Sequence, residues 1–418
     1  MVALWRADSD HGRQDGAERV APDDPECGTV DGGSAETGDG QPLAADERNG
    51  QSYIQDNLWT AETRQYAVWV ADDVTPFAGV RERCAPTWRT VDLGALPGNP
   101  LAAPTDRDPH HVYAIAVDER GYVHIAGNAH ASPLRYIRSQ RPGDITAWQP
   151  ATMPGPTASS TYPQFAARPD GTLLFFHRDG EAGDGTVELA VLDRHATTWR
   201  AVGTVVDGRP SGESPYLHRV AVDPRSGTAH VLFAWRSDDE ASTTNDVSYA
   251  RSPDGGTTWE TSGGRTLTLP ITHETAESVL DTVPQGSGLH NGGGLAVDPE
   301  GRPHGVVSFG PPDSPEALVH VWHDGEGWRT EALDGEAVAG RPAVAATPDG
   351  AVWTLGTTGG RIAAVEITPG GDGDRVSAGA VPEGWEVTYD AQALSLEGSV
   401  EVLVPDGRAP RVVDIALP

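Results

Sequence analysis

The sequence predicts an all-β chain, a seven-bladed β-propeller over residues 51–418 behind an acidic disordered tail over residues 1–50. Three observations predict it. A turn of the form D-x-x-G or P-D-G is followed by a short apolar strand five times: VDERGYVHIAG from Val117, RPDGTLLFFH from Arg168, VDPRSGTAHVLFAW from Val222, VDPEGRPHGVVSF from Val297 and TPDGAVWTL from Thr347. The turn glycines, Gly121, Gly171, Gly227, Gly301 and Gly350, recur every 49 to 74 residues. A tryptophan, often followed by arginine, recurs late in each period at Trp88, Trp148, Trp199, Trp259, Trp328 and Trp385. Finally, 50 Gly and 34 Pro with only 37% hydrophobic residues suit many short strands better than long helices.

Taken in order, the first 50 or so residues are polar, acidic and without apolar periodicity, so they cannot offset the entropy of ordering. From Tyr53 the texture stays constant to the end. A period near that of a four-stranded blade makes each repeat one blade, with its first strand innermost and its tryptophan towards the rim. Six tryptophan markers plus a closing blade give seven. Residues 412–417 are expected to pair with strands near residues 66–71, closing the ring and removing an exposed sheet edge. The stretch SPDGGTTW from Ser252 fits S-x-D-x-G-x-T-W, the Asp box of sialidase-type propellers: Asp254 caps a hairpin turn, Gly255 and Gly256 allow positive φ, and Trp259 tucks beneath. Its role is structural.

Charge narrows the function. The chain carries 61 acidic and 30 basic residues, all of the latter arginine, for a net charge of -31. That excludes a general nucleic-acid binder or a binder of anionic membranes, both of which need a basic face. A polyanionic sugar remains open as a ligand, because a few arginines focused in one cleft outweigh a distant net charge. No apolar run is long enough to span a membrane. Two cysteines, Cys27 and Cys84, are too few for a disulfide framework or a cysteine zinc site. The start shows no basic-then-apolar leader, so the chain as written is expected in the cytoplasm, and secreted if the start is mis-set.

The order of segments from about Asp108 to Val307 resembles BNR-repeat-containing propeller proteins, the group that includes ulvan lyases and enzymes cleaving rhamnose–glucuronate linkages. Four stretches carry the resemblance: DPHHVYAI from Asp108; GNAH from Gly127 with PLRY from Pro133; TYP from Thr161 leading to RDGEAG from Arg178; and Trp235-Arg236 followed by the Asp box. His111 stands where the family usually has Asn, and Gln164 where a basic residue is expected.

The resemblance implies β-elimination at a uronic acid and assigns His110, His130, Tyr162 and Arg178 to the catalytic constellation. The chemistry needs a cation to neutralise the carboxylate, a base near neutral pKa for the C5 proton, and a donor for the departing O4. Imidazole suits the base, a tyrosine hydroxyl the donor or a lowered-pKa base, and arginine grips a carboxylate through two parallel hydrogen bonds. Each has a structural alternative: a turn histidine for His110, a satisfied loop histidine for His130, packing at the channel mouth for Tyr162, and an ion pair with Asp179 for Arg178. His111, Tyr216, His218, Arg236, His290 and Asn291 are secondary candidates for substrate contact, on the same face: Tyr216, His218, His290 and Asn291 precede inner strands and Arg236 ends a strand. His124 and His304 read as packing residues. The glycines after His290 precede no helix, which disfavours a nucleotide site. No cofactor is expected, and no calcium-loop or zinc-helix motif occurs, although convergence of His110, His111 and His130 would bring three metal-ligating groups together.

The expected partner is an acidic oligo- or polysaccharide. Three readings stay open: a polysaccharide lyase cleaving rhamnose–glucuronate linkages, a hydrolase releasing rhamnose from glucuronate, and a non-catalytic carbohydrate-binding propeller. Fold does not decide among them.

Overall fold

A computed structural model describes residues 47–50, 56–71, 73–83, 85–102, 108–280, 282–310, 317–333, 340–368, 373–382, 384–406 and 410–418. Of the tail expected over residues 1–50, residues 1–46 lie outside the described residues, as do Cys27 and Cys84, whereas its last four residues are ordered. Glu47–Gly50 form a short 3-10 turn packed on the first blade. There Asn49 donates to the Val70 carbonyl at 2.7 Å and accepts from the Val70 N–H at 2.9 Å.

Among the described residues the strands assemble as an all-β propeller of six blades, not seven: five sheets of four strands and one of six, in chain order. The blades span residues 58–92, 113–150, 160–207, 214–278, 294–333 and 343–380. In each, strands follow one another as antiparallel neighbours. The first strands of successive blades pack side by side around the axis, with Tyr113–Val117 between Leu58–Ala61 and Ser160–Ala167, and Gly294–Val297 between Ser214–Val222 and Ala343–Ala346. The five repeat glycines all have the positive φ that their turns require. Tryptophans bridge blades as expected from the repeat: Trp199 donates to the Tyr136 hydroxyl at 2.9 Å, and Trp328 to Glu277 at 3.2 Å.

The seventh sector holds too little chain for a blade. After Ala380 comes an extended stretch containing Trp385 and Tyr389, then a helix, Ala391–Glu397, then a hairpin of Val400–Val404 with Arg411–Ile415. The last strand therefore pairs with its own hairpin partner and not with residues 66–71. Ring closure is by side chains. Leu403 and Val412 pack on Leu58, Ala67 and Trp69. Asp390 caps the helix through the Gln392 and Ala393 N–H groups and also accepts from Thr60 of the first blade at 2.7 Å. Arg83 pairs with Glu401 at 2.6 Å, and Tyr389 donates to the Val344 carbonyl of the sixth blade at 2.7 Å. Trp385 marks this sector and no strand of a blade, which is why counting tryptophans overcounted.

The turn from Ser252 to Trp259 is held by its own side chains. Asp254 accepts from the Thr258 N–H and hydroxyl at 2.8 Å each, the Gly256 N–H donates to Ser252 Oγ at 2.7 Å, and buried Trp259 donates to the Gly256 carbonyl at 3.1 Å.

Three blades bury a histidine behind the repeat aspartate. His124 bonds Tyr136 Oη at 2.6 Å and His230 bonds Tyr249 Oη at 2.6 Å, whereas His304 meets a second imidazole, His320, at 3.1 Å. Burial, with His304 alongside, pushes His320 down to about 3, and burial pushes His230 down to about 4. In the unfolded chain these rings titrate near 6.5. Between those limits the unfolded state binds more protons, so stability present above pH 6.5 is lost as pH falls. His320→Tyr, which copies the other two blades, is expected to reduce the fall in melting temperature between pH 7.5 and 5. An unchanged slope would remove His320 from the acid response.

Candidate functional site

Because the first strands run the same way along the channel, the entries to first strands and the exits from second strands open on one face. That face carries the candidates. His110 and His111 precede the first strand of the second blade, and His130 follows that blade's second strand, Val123–Gly127. Tyr162 lies within Ser160–Ala167, Arg178 within Leu173–Glu181, and Tyr216 within Ser214–Val222.

Local chemistry sets each side chain. The DPHH segment forms a turn in which Asp108 accepts from the His110 N–H at 2.9 Å. The same carboxylate then reaches both imidazoles: His110 Nδ1 lies 2.6 Å from Oδ1 and His130 Nδ1 lies 2.5 Å from Oδ2. The two rings stack with centroids 4.2 Å apart. His130 arrives on a tight loop. Gly127 lies so close to Val112 that a Cβ would sit 2.4 Å from its carbonyl oxygen, and Asn128 and Ala131 have positive φ. Thr161 Oγ1 pins this loop to the third blade by accepting the Ala131 N–H at 2.9 Å.

Tyr162 sits at a break in register. Phe176 pairs with Gln164 and Arg178 with Thr161, so Tyr162 and Pro163 together oppose His177 alone. Pro163 cannot donate to the ladder, and a bulge accommodates it. The bulge gives Tyr162 a φ of 58°, a strained conformation for a bulky residue. Its ring thereby lies 6.1 Å from His110 and 5.9 Å from Tyr216.

Arg178 lies between the two phenol rings, its guanidinium carbon 5.1 Å from Tyr162 and 4.8 Å from Tyr216. It is 4% exposed and donates to Thr161 Oγ1 at 3.1 Å, while its Nε has no partner among the described residues. The expected alternative of an ion pair with Asp179 is not formed. The Asp179 carboxylate instead accepts the Ser159 N–H at 3.2 Å and lies 3.9 Å from Arg209. A buried guanidinium without a counter-charge is expensive, and an incoming anion relieves that cost.

Electrostatics favour the neutral form of His110. Burial pushes His110 below its usual value, helped by the charges of His130 and Arg178 and opposed by Asp108. Burial acts to raise the Asp108 carboxyl, but the His110 N–H and the two imidazoles outweigh it and hold it well below the usual carboxylate range. With its Nδ1 engaged by the ionised carboxylate, neutral His110 carries its lone pair on Nε2. The arrangement thus offers a base, a hydroxyl donor and a cation with no ion pair among the described residues, all within one cluster. Asp108→Asn, which accepts less and donates where the rings donate, is expected to lower turnover about 10–100-fold, as loss of an orienting partner does. Circular dichroism should show the fold intact, and full activity in the variant would deny Asp108 this positioning role.

The secondary candidates divide. Tyr216 joins the cluster, and the His111 ring lies edge-on to His130 at 6.4 Å. Arg236 reaches Tyr216, 5.4 Å from its ring, but its guanidinium braces a turn by donating to the Asp238 and Asp239 carbonyls. His218, a candidate for substrate contact, lies inward. A bulge places it with Arg219 opposite Leu232, and it is 1% exposed with burial pushing it down to about 3. Asn291 accepts from Arg341 on the fifth-blade side of the opening, and His290 precedes it in the same loop.

Sequence reasoning missed Asp108, Thr161, Arg341 and Glu386. Arg341 pairs with Glu386 at 2.9 Å and enters the sixth blade as Tyr162 enters the third. Asp108 carried a signal, an Asx-turn residue two before a histidine. The opposite opening is separate: a cavity of about 960 Å³, floored by the Asp56–Arg219 pair at 2.5 Å, contains none of the clustered residues. Among the described residues no helix is long and apolar enough to cross a membrane.

A propeller carrying a His–Tyr–Arg cluster at one opening is the class these features define. The profile of the BNR repeat-containing family matches residues 64–336, and the chain belongs to that family. Two ulvan lyases, from Alteromonas sp. (strain LOR) and Nonlabens ulvanivorans, are each 24% identical, over 260 and 256 residues. The matches cover 53% of this chain and 52% and 53% of the two lyases, so the chain spans about half the length of these curated relatives. The fold is similar to that of an ulvan lyase from a new polysaccharide lyase family bound to a glucuronate–rhamnose 3-sulfate unit. Its TM-score is 0.69 at 14% identity, covering 90% of this chain and 94% of that one.

Proposed function

We propose that this protein is a polysaccharide lyase that cleaves a rhamnose–glucuronate type linkage by β-elimination. The observation that carries the reading is Arg178, a buried guanidinium without a counter-charge among the described residues, set against two phenols and beside a pair of imidazoles. Arg178 binds the uronate carboxylate and stabilises the charge that spreads onto it as the C5 proton leaves. Neutral His110, with His130 stacked behind it, takes that proton on Nε2. Tyr162 gives its hydroxyl proton to O4 as the C4–O4 bond breaks and the C4–C5 double bond forms. The imidazolium and phenolate then return to their starting states by exchange with water. Tyr216 and His111 line the cleft, and the Ser252–Trp259 turn is read as an Asp box that braces the fourth blade. The relatives that match this chain are ulvan lyases, which supports the substrate class.

Hydrolysis fits less well. It needs a carboxylic acid as proton donor, and Asp108, the carboxylate that reaches this cluster, is held ionised by both imidazoles. The reading is tested by pairing a glucuronate–rhamnose polymer with its carboxyl-reduced counterpart. The native polymer should be cut and the reduced one left intact. Equal cutting of both would remove Arg178 and the uronate from the account, and binding without product would favour a lectin-like role.

A further inference from the structure

We propose that Asp108, His110 and His130 also form a binding site for one divalent transition-metal ion, of which Zn²⁺ is the best fitting, and that the ion and the sugar acid exclude one another. The geometry is that of a three-ligand cluster. One ligand atom from each residue lies within 4.8 Å of the other two. Small side-chain movements bring such a set to the bond lengths of about 2.0–2.2 Å that zinc makes with imidazole nitrogen and carboxylate oxygen. Two imidazoles and one carboxylate are also the ligand number and type of open zinc sites, in which water fills the fourth position.

The protein already holds these groups together: the Asp108 carboxylate lies 2.6 Å from His110 Nδ1 and 2.5 Å from His130 Nδ1. The backbone preorganises them: the Asp108–His110 turn and the pinned His130 loop fix both rings before any ligand arrives. Donor softness sets selectivity. Imidazole favours Zn²⁺, Ni²⁺ and Cu²⁺, whereas Ca²⁺ and Mg²⁺ seek more oxygen ligands than this cluster provides. The net charge of -31 raises the local concentration of cations around the chain.

The binding half of this proposal is independent of the lyase reading; the exclusion half rests on it, because a neutral His110 ring ligated to the ion has no lone pair left to take the C5 proton. The test therefore reads binding directly. Chelator-treated full-length protein is titrated with ZnCl₂ by calorimetry and with CoCl₂ by visible absorbance, using MgCl₂ as the comparator. One zinc per chain is expected, with a cobalt band in the tetrahedral region and no magnesium response. His110→Ala and His130→Ala should each weaken zinc binding at least about tenfold, whereas His323→Ala, outside the cluster, should not. If the variants misfold, anomalous scattering from zinc-soaked crystals of the unaltered protein decides, with density expected between the three side chains. No zinc binding up to millimolar concentration, unaltered binding in both variants, or density elsewhere would overturn the site. Zinc binding without loss of sugar cleavage would overturn the exclusion alone.

Discussion

Arg178→Ala is expected to slow cleavage of a glucuronate-containing polymer about 10²–10³-fold, the loss that follows removal of one preorganised charge-stabilising donor. The effect should fall on kcat as well as KM, because negative charge on the carboxylate grows as the C5 proton departs. The fold should survive. Arg178 makes one side-chain hydrogen bond, to Thr161, and leaves its Nε without a partner among the described residues, so its removal takes away an unpaired buried charge along with its contacts to two aromatic faces. Arg178→Lys should recover only part of the rate, since an ammonium cannot offer two parallel bonds to a carboxylate. Initial rates and thermal melts of the three proteins check this. A folded Arg178→Ala protein with undiminished activity would show that the guanidinium is a structural wedge between Tyr162 and Tyr216.

Tyr162→Phe is expected to cost about 10²–10⁴-fold in kcat, the usual range for loss of a positioned proton donor. KM should change little, because the ring and its packing persist. Phenylalanine keeps the size of the side chain at the strained φ of 58°, so the bulge and the positions of Arg178 and His110 are retained. A substrate with a good leaving group at O4 should be affected less, since it needs less protonation as it departs. Comparison of kcat on the two substrates measures this. Equal losses on both would assign the hydroxyl to C5 proton removal instead.

Most of the architecture was legible because it is local. A D-x-x-G turn states its own geometry: Gly121, Gly171, Gly227, Gly301 and Gly350 are at positive φ, each ahead of an apolar strand. Ring closure was not legible, because it depends on what fits between the first and sixth blades. Leu403, Val412 and Asp390 close it through packing and hydrogen bonds that leave no period in the sequence. The clustered residues were legible as types but not as contacts. His110 and His130 are joined by Asp108, which reads locally as a turn residue, and Tyr162 meets Arg178 only because Pro163 forces a register shift. The same logic explains His218: a second bulge, between Leu217 and Val220, buries a side chain that strand alternation alone did not place. Glu386 lies in the segment that follows the sixth blade, so its pairing with Arg341 could be read only after the blades were counted.

The most direct measurement is the ultraviolet absorbance of the reaction mixture, followed together with new reducing ends, as the unaltered protein acts on a glucuronate–rhamnose polymer. Elimination predicts that both rise in step, one unsaturated uronate for each chain cut. Reducing ends that accumulate while the absorbance stays flat would contradict it.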